Sequence, residues 1–170
     1  MAIRNEIDEF VVECDLCGIT QSHEKDITAG YGEDNGFTDM IESIKEEGME
    51  PGIWTSVSIY NDEFPKHQAH CLVKDDKGVP ILGDWIKYLI DCTPETLARH
   101  VTPTYAGLAE LGYRYFKTDV TRHLLFDGFH KAVADGSMTN EESEAKHRAY
   151  LVAAREAIGD EPFWLLSWGV

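Results

Sequence analysis

Apolar positions along this chain switch period again and again, from runs to helical stripes and back. Glu9-Phe10-Val11-Val12-Glu13-Cys14-Asp15 is an apolar run closed by a carboxylate and reads as a first strand. A polar loop leads to Gly36, after which Phe37, Met40, Ile41 and Ile44 recur at helical spacing, capped by Asp34 or Asn35 and stopped by Gly48. Pro51-Gly52 turns the chain into a second strand, Ile53 to Ile59. Cys71 to Leu82 reads as a small hairpin with the polar turn Asp75-Asp76-Lys77-Gly78, and Trp85 to Asp91 as a third strand. Thr93-Pro94 opens a helix striped by Leu97, Val101, Tyr105, Leu108 and Leu111, which Pro103 is expected to kink or split. Gly112 ends it, and Gly112 to Arg122 is the fourth strand. The stretch with Asp127-Gly128 and Asp135-Gly136 reads as irregular. The capping box Thr139-Asn140-Glu141-Glu142 then starts a helix through Leu151, Ala154 and Ile158, and Phe163 to Ser167 is a fifth strand.

Strands alternating with helices imply parallel pairing through right-handed crossovers, in an open doubly wound sheet or part of a barrel. No glycine-rich phosphate loop follows a strand, which disfavours the nucleotide-binding version. A complete (β/α)8 barrel takes about 250 residues. The expected fold is therefore α/β: a partial (β/α)8 TIM barrel with about five parallel strands and a hairpin insertion after strand 2. It forms a single truncated domain over residues 1–170. Open sheet edges predict association, as a homo-oligomer or with the remainder of a larger chain.

Charge narrows the partners. With 31 acidic against 15 basic residues the formal charge is −16, which opposes nucleic acid and anionic membrane surfaces. The absence of a transmembrane-length apolar run or a signal-peptide core points to the cytoplasm. A lone Cys14-x-x-Cys17 and seven histidines without ligand spacing give no reason to expect a metal or cofactor.

The fourth strand carries the candidate chemistry. Alternation puts Tyr113, Tyr115, Lys117 and Asp119 on one face, which turns from aromatic to charged at its C-terminal end. Buried charges are costly unless paired, so a strand end opening into a pocket is the natural setting. Asp15, Trp54 and Asp91 also end strands and would converge with Lys117 and Asp119 at a barrel mouth. The structural alternatives are an ion pair between Lys117 and Asp119, a helix-start role for Asp91, and core packing of Trp54 and Trp168.

Several segments, in consistent order over about residues 30–170, resemble the melibiase-type α-galactosidases, retaining glycoside hydrolases on a (β/α)8 barrel. They are Gly36-Phe37 through Gly48-Met49-Glu50-Pro51-Gly52-Ile53-Trp54, Asp75-Asp76-Lys77-Gly78-Val79-Pro80, Leu89-Ile90-Asp91-Cys92-Thr93-Pro94-Glu95, Tyr115-Phe116-Lys117-Thr118-Asp119 and Ala154-Arg155-Glu156-Ala157-Ile158-Gly159. The resemblance implies that Asp119 is the nucleophile and that Lys117, Arg122 and Trp54 bind the sugar. Asp15, Asp91 and Trp168 join them as substrate ligands, with Asp84 and Trp85 at the rim. Two motifs depart: Cys14-Asp15-Leu16-Cys17 stands where the family has Asp-Asp-Gly-Trp, and Leu165-Leu166-Ser167-Trp168-Gly169 replaces a Leu-Leu-Gly-Cys-Gly setting.

In the family the acid/base carboxylate follows the sixth strand. The chain by itself is therefore expected to bind an α-galactoside or related sugar without turning it over. The alternatives are a non-catalytic half-barrel that binds sugar or a partner, and a Schiff-base chemistry on Lys117.

Overall fold

The computed structural model describes residues 2–6, 9–13, 20–24, 36–56, 58–59, 68–84, 87–119 and 121–166. The chain begins with an antiparallel meander, β1 (Ala2–Glu6), β2 (Glu9–Glu13) and β3 (Thr20–Glu24), paired in the order β1-β2-β3. The run expected as a parallel first strand is thus the middle strand of a separate sheet. Helix α1 (Gly36–Glu46) follows where the apolar stripe places it, with Ile41 buried.

The parallel sheet has three strands, β4 (Gly52–Ser56), β7 (Tyr115–Asp119) and β8 (Phe163–Leu166), in the order β4-β7-β8. The expected third strand does not join them. Among its described residues Tyr88–Leu89 forms a strand, β6, which runs antiparallel to β5 (Ser58–Ile59). Its other edge is taken by the hairpin: Val73 N donates to Leu89 O at 3.0 Å and Asp91 N to Cys71 O at 2.7 Å. Tyr88–Leu89 is thus paired with β5 on one edge and with the hairpin on the other, and not with the parallel sheet. The hairpin turn itself forms as expected, with Asp75 Oδ1 accepting from the Lys77 and Val79 amides at 3.0 and 2.8 Å.

Helix α2 covers residues 94–110. Thr93 caps it, its hydroxyl accepting from Thr96 N at 3.2 Å, and Pro94 occupies the first turn. Pro103 neither breaks nor splits it. Leu97–Val101 widens into a π-turn, with Thr102 N reaching back to Leu97 O, so the helix continues past the missing amide.

The stretch after Arg122, expected to be irregular, is helical as α3 (residues 121–135), again with a π-turn, at Leu124–Phe129. Gly128 there is a contact point and not a break. A Cβ on it would come within 3.1 Å of Leu89 Cδ1, so the glycine lets the helix lie directly on β6. Helix α4 (Asn140–Ile158) starts at the expected capping box: Thr139 N donates to Glu142 Oε2 at 2.8 Å and Glu142 N to Thr139 Oγ1 at 3.1 Å.

These helices cover one face of the parallel sheet. On that face lie Ile53, Thr55, Phe116 and Thr118, all buried. Its polar atoms form one network. Thr118 Oγ1 lies 2.9 Å from Thr55 Oγ1, 2.8 Å from Tyr105 OH and 2.9 Å from Trp164 Nε1. Tyr105 OH is also 3.0 Å from Thr55 Oγ1 and 2.7 Å from Tyr150 OH. Burial pushes both tyrosine hydroxyls above their ordinary range, so they stay neutral.

The opposite face carries Trp54, Ser56, Tyr115, Lys117, Asp119, Phe163 and Leu165. Tyr115 and Phe163 stack at 5.3 Å, and Phe163 remains 60% exposed. In all, the fold is mixed α/β, with three parallel strands among the described residues where five were expected.

Candidate active site

Parallel pairing in register brings Trp54 beside Lys117 and Ser56 beside Asp119. Neighbouring residues of paired strands share a face, so Trp54, Lys117 and Asp119 project together from the side that the helices leave open. Trp54 Nε1 donates to Asp119 Oδ2 at 3.0 Å, and the Lys117 ammonium stands 3.9 Å from the same oxygen. A neutral donor and a cation thus converge on one carboxylate oxygen, which orients the carboxylate and supports its charge. Asp119 keeps 16% of its side-chain exposure and Lys117 39%, so the group is reachable from outside. The arrangement suits a fixed, accessible carboxylate that acts as nucleophile or ligand. Lys117 lacks the apolar burial that a Schiff-base amine needs, which removes support from that alternative.

The alternation expected from Tyr113 onward begins later. Tyr113 is fully buried, because β7 starts at Tyr115, opposite Gly52, and the turn at Gly112 (φ +109°) sets Tyr113 apart from the strand's pleat. It belongs to the core and not to the site face.

The other expected site residues that are described have contacts of their own. Arg122, exposed on α3, holds its guanidinium over the Phe126 ring at 5.3 Å. Asp91 is ion-paired to Lys146 of α4 at 2.6 Å, with both side chains about a quarter exposed, and so joins the start of α2 to α4. Asp84 pairs with Lys131 at 2.8 Å and is 85% exposed. Asp15, Trp85 and Trp168 lie outside the described residues, as do Cys14 and Cys17.

Cys71 and Cys92 are free, buried thiols. Cys71 Sγ lies 3.3 Å from His100 Nε2, a contact that no spacing rule had flagged. Burial raises the thiol and lowers the imidazole, which keeps the pair neutral. Among the described residues no group of three or more His, Cys, Asp or Glu could hold a metal ion, and no helix is long and apolar enough to cross a membrane.

No protein-family model matches the chain. Solved structures do. The α-galactosidase TtGalA from Thermus thermophilus, in complex with p-nitrophenyl α-D-galactopyranoside and in complex with stachyose, aligns with a TM-score of 0.62 and 21% identity over 78% of this chain. The chain spans only 26% and 28% of those two chains. At that identity the likeness is one of fold: a partial TIM-barrel-like arrangement of parallel strands and helices, similar to part of an α-galactosidase.

Proposed function

We propose that the chain is an α-galactosidase-like glycoside hydrolase domain, or a segment of one, of the retaining type with Asp119 as nucleophile. The observation that supports this most is the carboxylate itself. Asp119 ends a parallel strand on the helix-free face, with Trp54 and Lys117 both directed at Oδ2. In this reading a carboxylate oxygen of Asp119 bonds to the anomeric carbon as the glycosidic C–O bond breaks. The departing oxygen takes a proton from a second carboxylic acid, and water later cleaves the glycosyl ester. Lys117, Trp54, Arg122 and Asp91 are assigned to the sugar hydroxyls, together with Asp15 and Trp168. The second carboxylate, about 5 Å from the first in a retaining site, is left unassigned.

A second reading, a non-catalytic half-barrel that binds sugar, draws on the stacked Tyr115 and Phe163, whose open ring face offers an apolar platform on the same side of the sheet.

An aryl α-galactoside with a good leaving group separates the two readings, because its departure needs little help from an acid. The expected result is an intact-mass gain of one hexosyl group, mapped to Asp119 and absent in Asp119→Asn. Saturable binding without an adduct would favour the binding module. Neither binding nor adduct would overturn both.

A further inference from the structure

The short 3-10 turn Ala69–Cys71, which leads into the hairpin, lies against the π-turn of α2. Consecutive residues on one side meet consecutive residues on the other. Arg99 Nη1 reaches His70 Nε2 at 3.4 Å, and His100 Nε2 reaches Cys71 Sγ at 3.3 Å. A π-turn rotates less per residue than an α-helix, so Arg99 and His100 are splayed less about the axis and can serve the same short segment. The Thr104 hydroxyl, donating to the His100 carbonyl at 2.6 Å, braces the backbone there.

Both contacts call for a neutral imidazole. A guanidinium can only donate, so His70 Nε2 is the acceptor and carries no proton. Cys71 is 0% exposed, and burial holds it in the thiol form. Its S–H has His100 Nε2 as the near acceptor, with Gln68 Oε1 farther off at 4.0 Å. A proton added to either ring turns an acceptor into a donor that faces a donor. It also adds a positive charge where, among the described residues, Arg99 and Glu95 of α2 and Lys74 of the hairpin are the charged groups acting on the pair.

We propose that His70 and His100 form an acid-sensitive clasp, closed by two neutral imidazoles at the entry to the hairpin, which releases residues 69–71 from α2 in mild acid. Burial first, then Arg99 and His70, lower the His100 imidazole from its ordinary 6.5, so the closed state favours the uncharged ring. Its contribution is therefore complete above about pH 6.5 and is lost as pH falls. This inference does not depend on glycosidase activity.

The readout is the accessibility of Cys71 in the full chain, probed with dithiodipyridine, an aromatic disulfide that thiols attack even in mild acid. The Cys71 sulfur bonds to one probe sulfur, the probe S–S bond breaks, and the other half leaves as thiopyridone with the thiol proton. Labelling is mapped by peptide mass, and Cys92, 2% exposed in the core, is the internal control for general unfolding. From about pH 8 to about pH 5 the ratio of Cys71 to Cys92 labelling is expected to rise several-fold. In the double variant His70→Gln/His100→Gln the amide oxygens still accept hydrogen bonds but gain no proton, and the ratio is expected to stay at its alkaline value. A flat ratio in the wild type, or a rise in the double variant equal to that of the wild type, would overturn the proposal. Should the variant fail to fold, hydrogen exchange of the wild type decides. Protection of the Leu72 amide, which bonds Ala69 O at 3.4 Å, is expected to fall in acid while that of the β7 amides holds. Leu72 protection that follows β7 at every pH would overturn the proposal.

Discussion

Turned toward the helices, β4, β7 and β8 present Thr55, Thr118, Phe116 and Trp164. Turned the other way, the same strands present Trp54, Lys117, Asp119, Phe163 and Leu165. The first face is buried and neutral: its hydroxyls bond one another within 3.0 Å and burial keeps its tyrosines protonated. The second carries a charged pair, a stacked aromatic pair and partial exposure. One backbone therefore supports two chemistries, and the alternation of side chains keeps them apart. The Asp119 carboxylate follows directly on Thr118, which points the other way and is held by three hydrogen bonds. Thr118 does for β7 what Asp119 cannot do for itself.

Alkali should break the neutral face first. Burial raises the Cys92 thiol from its ordinary 9.0 and the Tyr105 and Tyr150 hydroxyls from 10.0. In each case the folded state favours the protonated, uncharged form, and the unfolded chain loses its proton at lower pH. Stability is thus fully present below about pH 9 and falls as pH rises, by up to about 1.4 kcal/mol per pH unit for each group. Urea midpoints from about pH 8 to about pH 11 should drop steadily, and a flat profile would contradict the burial of these groups.

Tyr105→Phe tests the same face at neutral pH. It removes three hydrogen-bond contacts and leaves Thr55, Thr118 and Tyr150 short of a partner, at a cost of about 1–3 kcal/mol for each buried group left unsatisfied. For a chain this long each kcal/mol lowers the melting midpoint by about 2–4 °C in a thermal scan.

The smallest effect belongs to the open face. Leu165 is 38% exposed, and Leu165→Ser should change stability by no more than about 0.5 kcal/mol in chemical denaturation while reducing any self-association seen by sedimentation. A large loss of stability would mean that this face is covered and not open.

Local signals in the sequence carried a long way. The Thr93 and Thr139 caps, the turn at Asp75, the stripe Leu97-Val101-Tyr105-Leu108 and the strands at Tyr115 and Phe163 all lie where residue type and spacing put them. Long-range pairing was less legible. Tyr88-Leu89 has strand composition, but nothing in it announces that the Cys71–Leu82 hairpin and Ser58-Ile59 will take both its edges. Gly128 looked like a breaker because its neighbour Leu89, about forty positions away in sequence, is invisible to a local reading. On α4 the buried positions include Ser143, Tyr150, Ala154 and Ile158, while the apolar stripe of Leu151, Ala154 and Ile158 showed only half of them. Polar residues on a buried face are what an apolar count misses. In the site, Lys117 and Asp119 were legible from alternation, whereas Trp54's bond to Asp119 needed the strand register.

The network around Thr118 also limits its hydrogens to two arrangements. Each hydroxyl donates once, and an indole N–H can only donate. Trp164 must therefore give its proton to Thr118. Thr55, Thr118 and Tyr105 close a triangle of three contacts, which three hydroxyls can satisfy only by donating in the same sense around the ring. Tyr105 then has no proton to spare, and Tyr150 must donate to it. Two arrangements remain, clockwise and anticlockwise, and passing from one to the other moves three hydrogens together. The wall behind Asp119 is thus a two-state ring of dipoles, whose reversal would change the local field on the carboxylate without moving a heavy atom.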